Sequence, residues 1–133
     1  MSDQIKMSLT LPVPPKVLYE AWLDSDKHSD FSEKNVKIEK MVGSAFYAEG
    51  GIVEGKVLEI IRNRKITHSW NSAEFPEGSE ESKVEVSFEA VADSTKMTIV
   101  HSNLPEGEGK KIRKEWRDKY FTKMKKYFAE KAD

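Results

Sequence analysis

Ile5, Met7, Leu9 and Leu11 alternate with Lys6, Ser8 and Thr10, which predicts a first strand with one buried face. Pro12 ends it, and Pro14-Pro15 suits the first turn of a helix, where a missing amide N–H is no loss. Val17, Leu18, Ala21 and Trp22 supply that helix's apolar stripe, and Asp24-Ser25-Asp26 offers an N-cap for a second short helix leading to Phe31. From Val36 the period becomes two: Val36 and Ile38, then Phe46 and Ala48, mark the inner faces of further strands. Gly50-Gly51 carries a two-residue hairpin signal, and it lacks the helix and Lys-Ser/Thr that would make it a phosphate loop. Residues 52–61 read as a long strand whose phase slips near Gly55, where a β-bulge would restore it. Ile66, His68 and Trp70 share one face, Val84, Val86, Phe88 and Ala90 another, and Met97, Ile99 and His101 a third. Residues 71–82, rich in glutamate with Pro76 and Gly78, read as a mobile acidic loop.

The last stretch, residues 109–131, has no proline or internal glycine. On an ideal wheel of about 100° per residue, Ile112, Trp116, Tyr120, Phe121, Met124, Tyr127 and Phe128 fall within roughly half the circumference. That predicts an amphipathic helix whose broad aromatic side lies against a wide surface, and the strands offer one. The expected fold class is α+β: a curved antiparallel sheet of about six to seven strands around a long C-terminal helix, with two short helices after the first strand.

A chain of 133 residues has room for one domain, spanning residues 1–133, and no apolar run is long enough to cross a membrane. With neither a signal-like start nor any cysteine, a cytoplasmic protein without disulfides is expected. The net charge of −1 conceals a split: residues 109–131 hold ten Lys/Arg against three acidic residues, +7, leaving −8 on the rest. The polar side of the helix, with Lys114, Lys119, Lys125 and Lys126, is either a solvated face or a surface for an acidic protein partner. Its lysines are not interleaved with exposed aromatics, so neither nucleic acid nor membrane is the expected partner, and a monomer is expected.

The candidate chemistry is sparse. His28, His68 and His101 come from three separate elements, without metal-ligand spacing, so no metal and no cofactor is expected. The strand phase points His68 and His101 at the seam between sheet and helix, as hydrogen-bonded core residues or with one of them as an acid or base. Arg117 falls about 140° round the wheel, inside the aromatic arc, to snorkel outward or to face a ligand anion. Trp22, Phe31, Phe46, Trp70, Phe88, Trp116, Tyr120 and Met124 either fill a core there or line a cleft for a small, largely apolar ligand. No nucleophile has an adjacent base in the sequence, so no catalytic residue is assigned and an enzyme is the less expected outcome.

The order of elements, with Pro14-Pro15-Lys16-Val17-Leu18-Tyr19-Glu20-Ala21-Trp22, Val42-Gly43-Ser44-Ala45-Phe46, Gly51-Ile52-Val53-Glu54-Gly55, Arg64-Lys65-Ile66-Thr67-His68-Ser69-Trp70, and Trp116 followed by Tyr120-Phe121 and Met124-Lys125, resembles the activator of heat-shock protein 90 ATPase (AHSA1-like) family of the START/SRPBCC (Bet v 1-like) superfamily. The resemblance implies a helix-grip fold with a cavity between sheet and C-terminal helix. It implies three kinds of function: a non-enzymatic module that binds a small apolar ligand, a co-chaperone-like stimulator of the chaperone's ATPase, or a polyketide cyclase- or hydrolase-like enzyme.

Overall fold

The alternation at the start of the chain is realised in β1 (Asp3–Leu11), where Ile5, Leu9 and Leu11 are buried while Lys6, Ser8 and Thr10 face water. The computed structural model describes residues 2–131. β1 is followed by α1 (Pro15–Trp22) and α2 (Ser25–Ser32), then by β2 (Ala45–Ala48), β3 (Val53–Ile61), β4 (Lys65–Ser72), β5 (Ser82–Val91) and β6 (Ser94–Leu104). All strand pairs are antiparallel, in the order β1-β6-β5-β4-β3-β2. The two helices thus connect one edge of the sheet to the other.

α1 starts with Pro15 in its first turn, and the Asp24 side chain caps α2 by accepting from the Lys27 N–H at 3.0 Å. The C-terminal helix runs through α3 (Gly109–Glu115), a π-helical turn (Trp116–Phe121) and α4 (Thr122–Lys131), with αR dihedrals kept at both joints. Asp3 fixes its entry: one carboxylate oxygen accepts from the backbone N–H groups of Gly107 and Gly109, at 2.9 and 2.8 Å. Negative charge at a helix N-terminus is favourable, and here β1 supplies it.

Three local expectations are corrected. The strand expected at Val36 and Ile38 is a single bridge, Lys37 to Tyr47, although both apolar side chains are buried. Serines of α2 take the place of a neighbouring strand: Ser29 Oγ both donates to and accepts from the backbone of Val36, and Ser25 Oγ does the same for Ile38. The turn after β2 is a four-residue loop, 49–52, between the paired Ala48 and Val53 rather than a two-residue hairpin, with Glu49, Gly50 and Gly51 all at positive φ. The bulge in β3 falls at Leu58 rather than Gly55, since the pairing with β4 shifts between Val57 and Glu59. Gly55 has another role. A Cβ there would collide with the backbone carbonyl of Ser69, so this position needs glycine for close approach of β3 and β4.

Candidate functional site

Helices and strands from both halves of the chain send aromatic or histidine side chains to the seam. α1 contributes Trp22, β2 Phe46, β4 His68 and Trp70, β6 His101, and the π-helical turn Trp116 and Tyr120. The rings touch in a continuous network. Centroid separations are 4.6 Å for Trp116–Tyr120, 5.3 Å for Trp70–Trp116, 5.8 Å for Trp22–Tyr120 and 4.3 Å for Phe46–His68.

A buried tryptophan or tyrosine needs an acceptor for its polar tip. At this seam three of the tips find a histidine. Trp22 Nε1–H donates to His68 Nε2 at 3.4 Å, Trp116 Nε1–H to His101 Nδ1 at 3.0 Å, and the Tyr120 hydroxyl to His28 Nε2 at 3.2 Å. The second nitrogen of each ring then donates: His28 Nδ1–H to the Trp22 carbonyl, His68 Nδ1–H to the Ser69 carbonyl, and His101 Nε2–H to Ser82 Oγ. The Ser82 hydroxyl in turn donates to the Trp70 carbonyl. These partners assign neutral rings in defined tautomers, Nδ1–H for His28 and His68 and Nε2–H for His101. Burial disfavours the charged form and lowers the pKa of His28 and His101 to about 3 and that of His68 to about 4. Burial also pushes the Tyr120 phenol up.

These side chains fill the seam. What remains is a crevice of about 20 Å³ beside Trp70, Trp116 and Tyr120, room for one water. Its mouth is closed by charge: Lys34 Nζ lies 3.2 Å from Glu49 Oε1 and 5.7 Å from the Tyr120 ring centre, with Glu115 and Lys119 on the helix side. Partial burial raises the Glu115 carboxyl above its ordinary range.

Several expected site residues stand apart from the network's centre. Phe31 and Met124 belong to the packed core, Phe31 against Trp22 and Phe128. Phe88 is buried towards the β3–β4 end of the sheet, beside Arg64 and Pro15. Of the two courses open to Arg117 the outward one holds, and it does not line the cleft: it is exposed and pairs with Asp118 at 3.2 Å. The π-helical turn is the reason. Steps of four residues drift by about 40° on a regular helix, and the wider turn absorbs that drift, bringing Met124 and Phe128 beneath Ile112 and Trp116 and leaving Arg117 outside. With His68 and His101 sealed and Arg117 outside, the acid–base arrangement that the sequence allowed is not assembled. Lys114, Lys119, Lys125 and Lys126 are all exposed on the helix exterior. Among the described residues no group of three or more His, Asp or Glu is arranged to hold a metal ion. No helix among them is long and apolar enough to cross a membrane.

Sequence reasoning missed His28, Lys34 and Ser82. The i, i+3, i+4 spacing of His28, Phe31 and Ser32, the three buried residues of α2, was the available signal for the first.

A family model described as activator of Hsp90 ATPase homolog 1-like protein matches residues 12–129. The chain belongs to that family. This AHSA1-like chain has the helix-grip fold of the START/SRPBCC (Bet v 1-like) superfamily. It superposes on a crystal structure of an HSP90 activator from Plasmodium falciparum with a TM-score of 0.86 and 23% identity, covering 95% of this chain and 96% of that one. The solution structure of the Aha1 dimer from Colwellia psychrerythraea matches with a TM-score of 0.79 and 19% identity, over 95% of this chain and 96% of that one. An uncharacterised protein of Schizosaccharomyces pombe is 24% identical over 125 residues, 94% of this AHSA1-like chain, which spans 37% of that relative's length.

Proposed function

We propose that this AHSA1-like chain is a protein-interaction module that stimulates the ATPase of a heat-shock protein 90 type chaperone by surface contact, through the lysine-bearing exterior of its C-terminal helix. The observation that carries the reading is the filled seam. A crevice of about 20 Å³ is far below the several hundred Å³ of an ordinary small-molecule site, so binding energy has to come from the outside of the molecule. The family membership and the similarity to a named HSP90 activator support the choice of partner. The exposed lysines 114, 119, 125 and 126 support a basic contact surface that meets an acidic face of the partner.

The test is chaperone ATP turnover with the protein in excess, at low and at physiological salt. Stimulation is expected at low salt and should shrink as screening sets in at about 8 Å near 0.15 M. Lys125→Glu/Lys126→Glu should lose most of it. Unchanged turnover at low salt would end the reading. The competing reading, a carrier of a small apolar ligand, is tested by titration with lipids and aromatic compounds: amide shifts confined to Trp70, Trp116 and Tyr120 would favour it instead.

A further inference from the structure

A second basic surface lies away from the helix exterior. A groove of about 930 Å³ wraps the end of the sheet where β3 turns into β4 and where the chain leaves β1 for α1. Five cations line it, Lys6, Lys16, Arg62, Arg64 and Lys96, against one carboxylate, Glu89. This is a concentration that the body's charge does not favour, since residues outside the C-terminal helix carry 12 basic and 20 acidic side chains. All five are exposed, and among the described residues none is within ion-pair distance of a carboxylate. By contrast Lys34, Lys40 and Lys65 of the same body are each paired.

Both walls are held rigidly. Arg64 is pinned to β5, its carbonyl accepting from the Phe88 N–H at 2.8 Å, within a turn in which Asn63 takes a left-handed φ of 60°. The proline wall is pinned to β6 by the Thr95 hydroxyl, which donates to the Val13 carbonyl at 2.7 Å. Between them Ser87 and Thr98 present hydroxyls. Positive charge fixed on a preformed groove needs little ordering to bind an anion.

We propose that this groove docks an extended, acidic peptide segment of a partner protein. Its size exceeds what a small anion fills. The hydroxyl floor suits the amide groups of a peptide, and Glu89, facing Lys96 across the strands, is a point that a small peptide residue can pass over and a regular phosphate backbone cannot. No aromatic ring is exposed in the groove to stack a base; its one aromatic residue, Phe88, is buried. The proposal does not rest on the chaperone reading.

The experiment uses a fluorescently labelled Asp/Glu-rich peptide, titrated with the protein at low salt and at about 0.15 M. Amide shifts in the wild-type protein should centre on Lys6, Lys16, Arg62, Arg64 and Lys96. Arg62→Glu/Arg64→Glu, at an exposed turn, should weaken binding about tenfold or more, while Lys56→Glu/Lys83→Glu, the same charge change at exposed strand positions outside the groove, changes it less than about twofold. Shifts centred on the helix exterior, or equal losses in the two variants, would overturn it. So would equal or tighter binding of a single-stranded oligonucleotide or of phosphatidylserine vesicles. Sedimentation showing that the groove is closed by a second copy of the chain would overturn it too.

Discussion

Gly55 and His101 are the positions where a single side chain decides the most. Gly55→Ala places a methyl against the Ser69 carbonyl, and backbone cannot yield as a flexible side chain can. We expect a loss of at least about 2 kcal/mol, read as a lower urea midpoint; an unchanged midpoint would refute the close approach. His101→Phe keeps an aromatic ring but strands the Trp116 N–H in a dry interior, for an expected loss of about 1–3 kcal/mol by the same measurement. Strand phase alone aimed His68 and His101 inward, so that much was legible. Their role was not: an acceptor for a tryptophan is defined by elements 46 residues apart in one case and 15 in the other, and no local pattern encodes such a pairing. Arg117 was misplaced for a related reason, because an ideal wheel has no π-helical turn in it.

At the scale of elements, periodicity identified what packs inward more securely than how it is bonded. Val36 and Ile38 are buried as their alternation implies, yet their backbone is tied to two serine hydroxyls. Hydroxyl groups that stand in for a strand leave no periodic trace. Ser25→Ala/Ser29→Ala should therefore cost about 2 kcal/mol and speed amide exchange at Val36 and Ile38, whereas an ordinary strand edge would be indifferent to both. The entry of the C-terminal helix is likewise held from outside itself. Asp3→Ala should cost about 1 kcal/mol and raise exchange at Gly107 and Gly109, with the interior of α4 unchanged.

The molecule as a whole carries three buried neutral histidines, and this sets its response to acid. Their folded pKa values, about 3 to 4, lie below the ordinary 6.5, so between these limits the unfolded chain binds more protons than the folded one. Their contribution is complete above pH 6.5 and is lost as pH falls towards 4. By pH 5 the loss is on the order of 2 kcal/mol per ring, a large part of the 5–15 kcal/mol that holds a domain together. Urea unfolding at pH 7.5, 6 and 5 should show a steep fall in midpoint; equal midpoints at 7.5 and 5 would contradict the neutral state of the three buried rings.

Within the sheet, among the described residues, β1 pairs with β6 alone, and Asp3 reaches the peptide groups at the start of the final helix. A ribosome must therefore deliver residues 95–104 before β1 can pair along its whole length, and residue 109 before the latch can close. Until then Ile5, Leu9 and Leu11 stay wet, and a nascent chain stopped anywhere short of that point holds no finished half to fall back on.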